Sequence, residues 1–541
     1  MAPLQDDRTK GILAVRADES RGLVATRAEP DALSSLKTAP SKADPFFLWI
    51  LFLTATFARA LLAVRSVKNG LFDDAYVSLR YASNLIGGLG FVFNRGERVL
   101  GTTSPLNVGI LAFFSQFIGV AHLEAIAVTL GLAASIATIY LSNKLLARNK
   151  LPIEVTWTYL CILAFLPSFL ENTVSGMETP LVVFLMALSL FLESEDRLVG
   201  VAVVSILLVL ARVDTGIWLI CLGVCIAARY GRARFNELML PLLLFLVGVA
   251  SWFVFSKIYF GSIIPESIVG KALNHGAFER PDWNSALTAL TAYFPVQRLG
   301  QWGWAGVLVL LLGLAPSTLD FWRNHPRLRV LVLFFPLYVG TFILGRAPIF
   351  SWYEIPPKWA FYLIVVYGFW WWIRKGPLWL GSIALVRSIM AIFALLVVAL
   401  GFATVWRTAH AAEPESWPRQ ASDLIDHCAG PNSRVFVEHI GYLGFKTNRY
   451  IYDPGGLVSP RTNALKREFG SSWLNKGLKE YKADVVILYP ADVSLMNAQP
   501  DPDTDWFQRS YSHYQDLGSK EFRVSVYFLD SSAQIRDCDL R

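Results

Sequence analysis

The sequence predicts a polytopic α-helical membrane protein with a C-terminal α/β domain outside the bilayer. Three observations predict it. Of 541 residues 54% are hydrophobic and only 17% charged, with a mean hydropathy of +0.43, whereas a soluble chain carries about 25% charged residues. The apolar residues fall in long uninterrupted blocks separated by short basic loops. From about residue 404 the composition turns polar and mixed, and strand-like runs appear. The net charge of +7 sits mostly in the short loops, so it reports topology rather than nucleic-acid binding.

Residues 1–43 are polar, dotted with charge, aperiodic and without an apolar h-region, which predicts a disordered cytoplasmic tail rather than a signal peptide. The membrane domain, 44–403, holds about eleven expected spans: 46–65, 122–143, 153–170, 178–193, 198–211, 213–228, 238–260, 302–316, 329–345, 357–373 and 380–402. With a cytoplasmic N-terminus, Lys144/Arg148/Lys150, Arg229/Arg232/Arg234, Arg323/Arg327/Arg329 and Arg374/Lys375 all fall on the inner side. The Glu193–Arg197 turn is the exception, being acidic. Arg59, inside the first span, is expected to snorkel outward. The apolar run Pro105–Val120 breaks the alternation if it spans, and restores it as an interfacial helix on the outer face. The long connections 66–121, 171–177, 261–301 and 346–356, and the region 404–541, then all lie outside, in a multi-pass protein of the plasma (inner) membrane.

In 404–541, strand-like runs stand at 434–438, 484–489 and 523–529, and 464–481 has helical spacing after a Gly455-Gly456 turn. Cys428 and Cys538 lie in this region, whereas Cys161, Cys221 and Cys225 lie in spans. In an oxidising compartment the first two either pair or stay as free thiols.

The chemistry concentrates just after the first span, at Phe72-Asp73-Asp74-Ala75-Tyr76-Val77-Ser78-Leu79-Arg80. A charge at the centre of a span costs roughly 2.5–3.5 kcal/mol, so adjacent acids at its mouth need a reason. They can accept a proton or hold Mg²⁺ or Mn²⁺; the plain alternative is that Asp73 caps a helix. Helical spacing puts Asp73, Tyr76 and Arg80 on neighbouring turns. Further candidates at expected outer ends are Glu178, Arg212 and Asp214, Lys271 and His275, and Arg346. Each has a plainer role as a helix-dipole partner, a mutual ion pair or a solvated loop residue. The aromatic loop Phe350–Pro357 suits sugar stacking or an interfacial belt equally. No His-x-x-x-His, clustered Cys pair or phosphate-binding Gly loop occurs, which argues against structural zinc and ATP hydrolysis.

Three segments carry a family resemblance: Asp73-Asp74-Ala75-Tyr76-Val77-Ser78-Leu79-Arg80-Tyr81, then Gly88-Leu89-Gly90-Phe91-Val92-Phe93-Asn94-Arg95-Gly96-Glu97-Arg98-Val99, then Thr103-Ser104-Pro105-Leu106. Together they resemble the first exoplasmic loop of GT-C glycosyltransferases, and within them the terminal arabinofuranosyltransferases and their bacterial relatives. The resemblance is strong over 70–145 and ordered to about 375, through Ser175-Gly176-Met177-Glu178-Thr179-Pro180-Leu181, Arg212-Val213-Asp214-Thr215-Gly216 and Tyr259–Pro265 running on to Lys271. Arg212-Val213-Asp214 departs from the Arg-Pro-Asp/Glu usual in such enzymes. His439-Ile440-Gly441 and Tyr452-Asp453-Pro454-Gly455-Gly456-Leu457 resemble segments after the membrane part, with His439 in place of the commoner Asp.

The resemblance implies inverting transfer of a sugar, arabinofuranose by its closest likeness, from a polyprenyl-phosphate donor to a cell-envelope glycan or lipid-linked acceptor. Asp73 or Asp74 would take the acceptor's proton. Tyr76, Arg80, Glu178, Arg212, Asp214, Lys271, His275 and Arg346 would bind the donor's phosphate and sugar, with Arg suited to bidentate phosphate contact. A transporter, and a non-catalytic glycan-binding membrane protein, are the alternatives. A transporter predicts repeated halves with matching broken helices, and the sequence has neither.

Overall fold

The computed structural model describes residues 45–231, 234–274, 303–345, 349–375, 382–411, 416–498, 502–519, 522–535 and 538. The expected tail 1–43 lies outside them. In chain order the helices before the C-terminal region are α1 (Pro45–Asn69), α2 (Asp73–Ile86), α3 (Pro105–Ile118), α4 (Leu123–Arg148), α5 (Ile153–Phe165), α6 (Pro167–Thr173), α7 (Thr179–Ser194), α8 (Leu198–Ala211), α9 (Gly216–Tyr230), α10 (Phe235–Phe260), α11 (Glu266–Asn274), α12 (Gly303–Asn324), α13 (Arg329–Leu344), α14 (Ile355–Arg374) and α15 (Ile383–His410). A helix therefore stands at each of the apolar stretches, as backbone in hydrocarbon must bond to itself. Among the described residues six helices are long and apolar enough to cross a bilayer, or seven if α5 and α6 form one bent span. The chain is thus a multi-pass membrane protein, and six to seven of the eleven expected spans meet this length and hydropathy test among the described residues. At 14 residues, α3 is about 21 Å long, short of a ~30 Å hydrocarbon core.

The stretch 153–170 is not one straight span. It bends by 49° between α5 and α6, because Pro167 has no N–H to give the Leu163 carbonyl. Arg59 makes up the deficit. Its guanidinium donates to the Leu163 carbonyl at 2.9 Å, to Ala164 at 2.7 Å and to Ser135 Oγ at 3.0 Å. It is fully buried rather than snorkelled outward. The charge stays in the bundle because the broken helix needs donors there.

The acidic Glu193–Arg197 turn, out of place among basic loops, is where those loops meet. Arg148 pairs with Glu195 at 2.6 Å, Arg229 with Glu193 at 2.5 Å, and Arg327 with Asp196 at 3.2 Å. The far ends of α4, α7 and α9 and the start of α13 are thereby tied together. The candidate site lies at the opposite ends of α7 and α14.

The C-terminal region comprises α16 (Trp417–Cys428), β1 (Arg434–Phe436), α17 (Ile440–Thr447), β2 (Tyr450–Tyr452), α18 (Pro460–Phe469), α19 (Trp473–Tyr481), β3 (Val485–Leu488), α20 (Pro490–Ala498), α21 (Pro502–Ser510), β4 (Tyr511–Gly518) and β5 (Arg523–Leu529). The sheet order is β2-β1-β3-β5-β4, with β1 parallel to β2 and β3, and β5 antiparallel to β3 and β4. The expected strands are β1, β3 and β5. The predicted helix over 464–481 is two helices, broken at Gly470, whose φ of +53° favours glycine. Cys428 and Cys538 form a disulfide.

One apolar core runs from the 66–121 loop into this sheet. Tyr76, Leu79, Tyr81 and Phe93 pack in one cluster with Leu443, Val435, Ile451 and Val485. Polar contacts reinforce it: the Asn94 amide pairs with Ile451, accepting its N–H at 3.1 Å and donating to its carbonyl at 2.9 Å. The start of α2 is therefore held by the C-terminal domain.

Candidate active site at the start of α2

Asp73 and Asp74 open α2, where the positive end of the helix dipole favours carboxylates. Successive residues on a helix point about 100° apart, and the two acids part company. Asp73 reaches the C-terminal domain. Its Oδ2 accepts the Gly441 N–H at 3.1 Å and its Oδ1 the Tyr442 N–H at 2.8 Å, so it caps α17 from 368 residues away. His439 Nδ1 stands 3.7 Å from Oδ1. Burial pushes the Asp73 carboxyl above its usual range, against the pull of His439 and the two N–H groups. Glycine at 441 is what allows the approach, since a Cβ there would lie 1.9 Å from the Asp73 carbonyl oxygen.

Asp74 turns instead toward the bundle. Its Oδ2 pairs with Lys271 Nζ of α11 at 3.5 Å, and the carboxylate stays 30% exposed. The Lys271 ammonium lies over the rings of Phe350 and Tyr353, 5.2 and 5.7 Å from their centroids. Burial alone would lower the Lys271 pKa; Tyr353 and Asp74 outweigh it and hold it above the ordinary value. Burial raises the Tyr353 phenol. Below the same Tyr353 ring, at 5.1 Å, sits Arg212. Its guanidinium is bidentate to Asp214 at 2.7 and 2.9 Å, donates to Thr179 Oγ1 at 3.2 Å and lies 3.8 Å from Glu178. Tyr338 donates to Asp214 at 2.5 Å. Asp74, Lys271, Tyr353, Arg212, Asp214 and Glu178 thus form one connected cluster of alternating charge.

Two expected site residues lie elsewhere. Arg80 is buried and donates to the carbonyls of Phe93 at 2.7 Å and Arg449 at 2.6 Å, and burial lowers its pKa to about 9. It joins the 66–121 loop to the C-terminal domain instead of facing a phosphate. Tyr76 is fully buried, donating to Glu124 and lying edge-on to Tyr442 at 5.1 Å. His275 and Arg346 lie outside the described residues. Among the described residues no three His, Cys, Asp or Glu side chains converge as metal ligands.

Comparison with solved structures supplies the setting for this cluster. The chain aligns over 90% of its length, and 99% of the other chain, with ArnT from Cupriavidus metallidurans bound to undecaprenyl phosphate, at a TM-score of 0.55 and 12% identity. The apo form of that protein gives 0.55 and 11% over 89% and 98%. The Archaeoglobus fulgidus oligosaccharyltransferase tethered to an acceptor peptide gives 0.50 and 11% over 88% of this chain and 74% of that one. The chain shares the fold of these structures. By sequence, residues 406–527 match a domain of unknown function (DUF8728), and no curated protein matches.

On this scaffold, Asp74 and Lys271 offer a carboxylate that can take a proton beside a cation that can hold an anion. Sequence reasoning passed over Tyr338 and Thr179, which fix Arg212, and treated Tyr353 only as part of an aromatic loop. A tyrosine in the middle of an apolar run was the one available signal for Tyr338.

Proposed function

We propose that the chain is an inverting membrane glycosyltransferase that moves a sugar from a polyprenyl phosphate to a hydroxyl of a cell-envelope glycan or lipid-linked acceptor on the outer face, with Asp74 as general base. The observation that carries this reading is the division between the two carboxylates: Asp73 caps α17, and Asp74 stands half-exposed at Lys271. The acceptor oxygen attacks the anomeric carbon, its proton passes to Asp74, and the anomeric carbon–phosphate oxygen bond breaks. Lys271 stabilises the phosphate as it leaves with the bonding electrons. Arg212, already bonded to Asp214 and Thr179, positions the Tyr353 ring under Lys271. Undecaprenyl phosphate bound to the ArnT structure supports the class of donor. Arabinofuranose as the sugar rests on the likeness of the 66–121 loop.

The test is incubation of membranes containing the chain with radiolabelled polyprenyl-phosphate sugars, arabinofuranose first. Asp74→Asn should lower transfer by roughly 10²–10⁴-fold, the usual contribution of a general base. Unchanged transfer in that variant would remove Asp74 from the reaction.

A further inference from the structure

The carboxyl ends of β1 and β3, two of the three parallel strands of the C-terminal sheet, come to Asp73, and the reaction described above uses no side chain found there. In the order β2-β1-β3, the chain leaves β1 for β2 on one side and later returns to β3 on the other. The space beyond the strand ends at such a topological switch point, the crevice, is the usual ligand position in open α/β sheets. Glu438 and His439 follow β1, and Tyr489 and Asp492 follow β3.

These groups are built together. The His439 and Tyr489 rings lie 6.3 Å apart, and both pack edge-on against the buried Trp417, at 4.9 and 5.9 Å. Asp492 is fixed by the Tyr489 N–H, 3.0 Å from its Oδ2. Lys466 of α18 is held on the Pro454 carbonyl and on Asn274 of α11, the helix that carries Lys271. His439 itself is 3.7 Å from Asp73, so the crevice adjoins the residue preceding the base. Burial, with the field of Asp492, keeps Glu438 above its usual range; burial also raises Asp492 and lowers Lys466.

We infer that this crevice is the acceptor subsite, taking the terminal residue of a neutral polyhydroxylated glycan and presenting one hydroxyl to Asp74. The inference rests on the glycosyl-transfer reading. Half-exposed rings of Tyr489 and His439 offer apolar faces to a sugar ring, and buried Trp417 fixes their angle. Carboxylates of Glu438 and Asp492 accept hydrogen bonds from sugar hydroxyls, and the Lys466 ammonium donates one. The carboxyl groups of Glu438, Asp492 and Asp73 outnumber the cations Lys466 and, when protonated, His439, so an anionic acceptor is disfavoured.

The experiment titrates the full chain in detergent, without donor, with neutral trisaccharides of arabinofuranose, mannopyranose or glucopyranose and with a glucuronate-containing trisaccharide. Saturation-transfer NMR reads binding. At least one neutral trisaccharide should bind, the glucuronate compound about tenfold more weakly or worse. Tyr489→Ala and Asp492→Asn should each weaken binding about tenfold, Tyr489→Phe should retain it, and Glu480→Gln, in an exposed ion pair with Arg461, should leave it unchanged. Absence of binding to the wild-type chain, equal binding of the glucuronate compound, or unchanged binding by Tyr489→Ala would overturn the inference. Because no donor is present, this outcome is independent of transfer. Failure of the wild-type chain to turn over any labelled donor would instead strike the glycosyltransferase reading.

Discussion

Substituting Asp73 and Asp74 in parallel, each by Asn and by Ala, separates docking from chemistry. Asn keeps one side-chain oxygen and can still cap a helix, so Asp73→Asn preserves one of the two bonds to Gly441 and Tyr442 and turns its NH2 group toward the other N–H. It loses the other bond, about 1 kcal/mol, and the attraction between a charge and a helix N-terminus, about 0.3–1 kcal/mol. Asp73→Ala also loses the cap itself, typically about 1 kcal/mol, and leaves two N–H groups at a partly buried interface unsatisfied. Together the loss is about 2–3 kcal/mol.

Amide hydrogen exchange over 440–447 reads docking directly. At about 1.4 kcal/mol per tenfold, Asp73→Ala should speed local opening roughly 30–150-fold and Asp73→Asn roughly 10–30-fold. Transfer should fall in proportion to undocking in both. Asp74→Asn should leave exchange over 440–447 as in wild type while transfer drops by roughly 10²–10⁴-fold. An Asp73→Asn variant with wild-type exchange and as little transfer as Asp74→Asn would refute the reasoning, because Asp73 would then be the base.

Other perturbations probe the scaffold. Arg59→Met strands the carbonyls of Leu163 and Ala164 and should destabilise the chain by about 2–4 kcal/mol, seen as earlier thermal unfolding in detergent. Cys428→Ser opens a disulfide spanning 110 residues, which the chain-entropy account values at on the order of 4 kcal/mol; pulse proteolysis should cleave the C-terminal domain sooner, and reductant should do the same to wild type. Asp453 is fully buried and accepts the N–H groups of Gly455 and Val458. Burial lifts its pKa from 3.8 to about 6 against those bonds. Because the folded state holds that proton more tightly than the unfolded one, the stability is present below pH 4 and is lost as pH rises through about 6. The loss is on the order of 3 kcal/mol; Asp453→Asn should flatten the change in melting temperature between pH 4 and 6.5.

Local physics made the bundle and the reactive corner legible. Apolar blocks located the helices, and adjacent acids beside an apolar run pointed to the candidate site. Contacts between distant segments were not legible, and they carry the assignments that changed. Nothing near Arg59 in sequence announces the carbonyls freed by Pro167, more than 100 residues on. The acidic turn at Glu193 looked anomalous because its three arginines arrive from other loops. Arg80 looked like a phosphate ligand by residue type, and only the fold shows its Nε and Nη2 committed to the Phe93 and Arg449 carbonyls. β2 is three residues long, too short for an alternation to register. Gly441 was visible as a motif residue, yet its reason, the backbone of Asp73 pressed against it, required the partner.

The position of Asp73 also explains why two acids are needed in a row. It lies in the first turn of α2 and caps the first turn of α17, so two positive helix ends, each worth about half an elementary charge, meet at one carboxylate. Without a negative charge they would repel, and the C-terminal domain would lose its hold on the start of α2. A base at that position would be spent on the joint. The following residue, about 100° further round the helix, is free of it and comes to Lys271. Catalytic groups must be held to within about 0.5 Å of their working geometry, and here the residue holding Asp74 in place is its own neighbour. Under the proposed function, docking of the C-terminal region and placement of Asp74 are therefore one event, set by a single turn of helix.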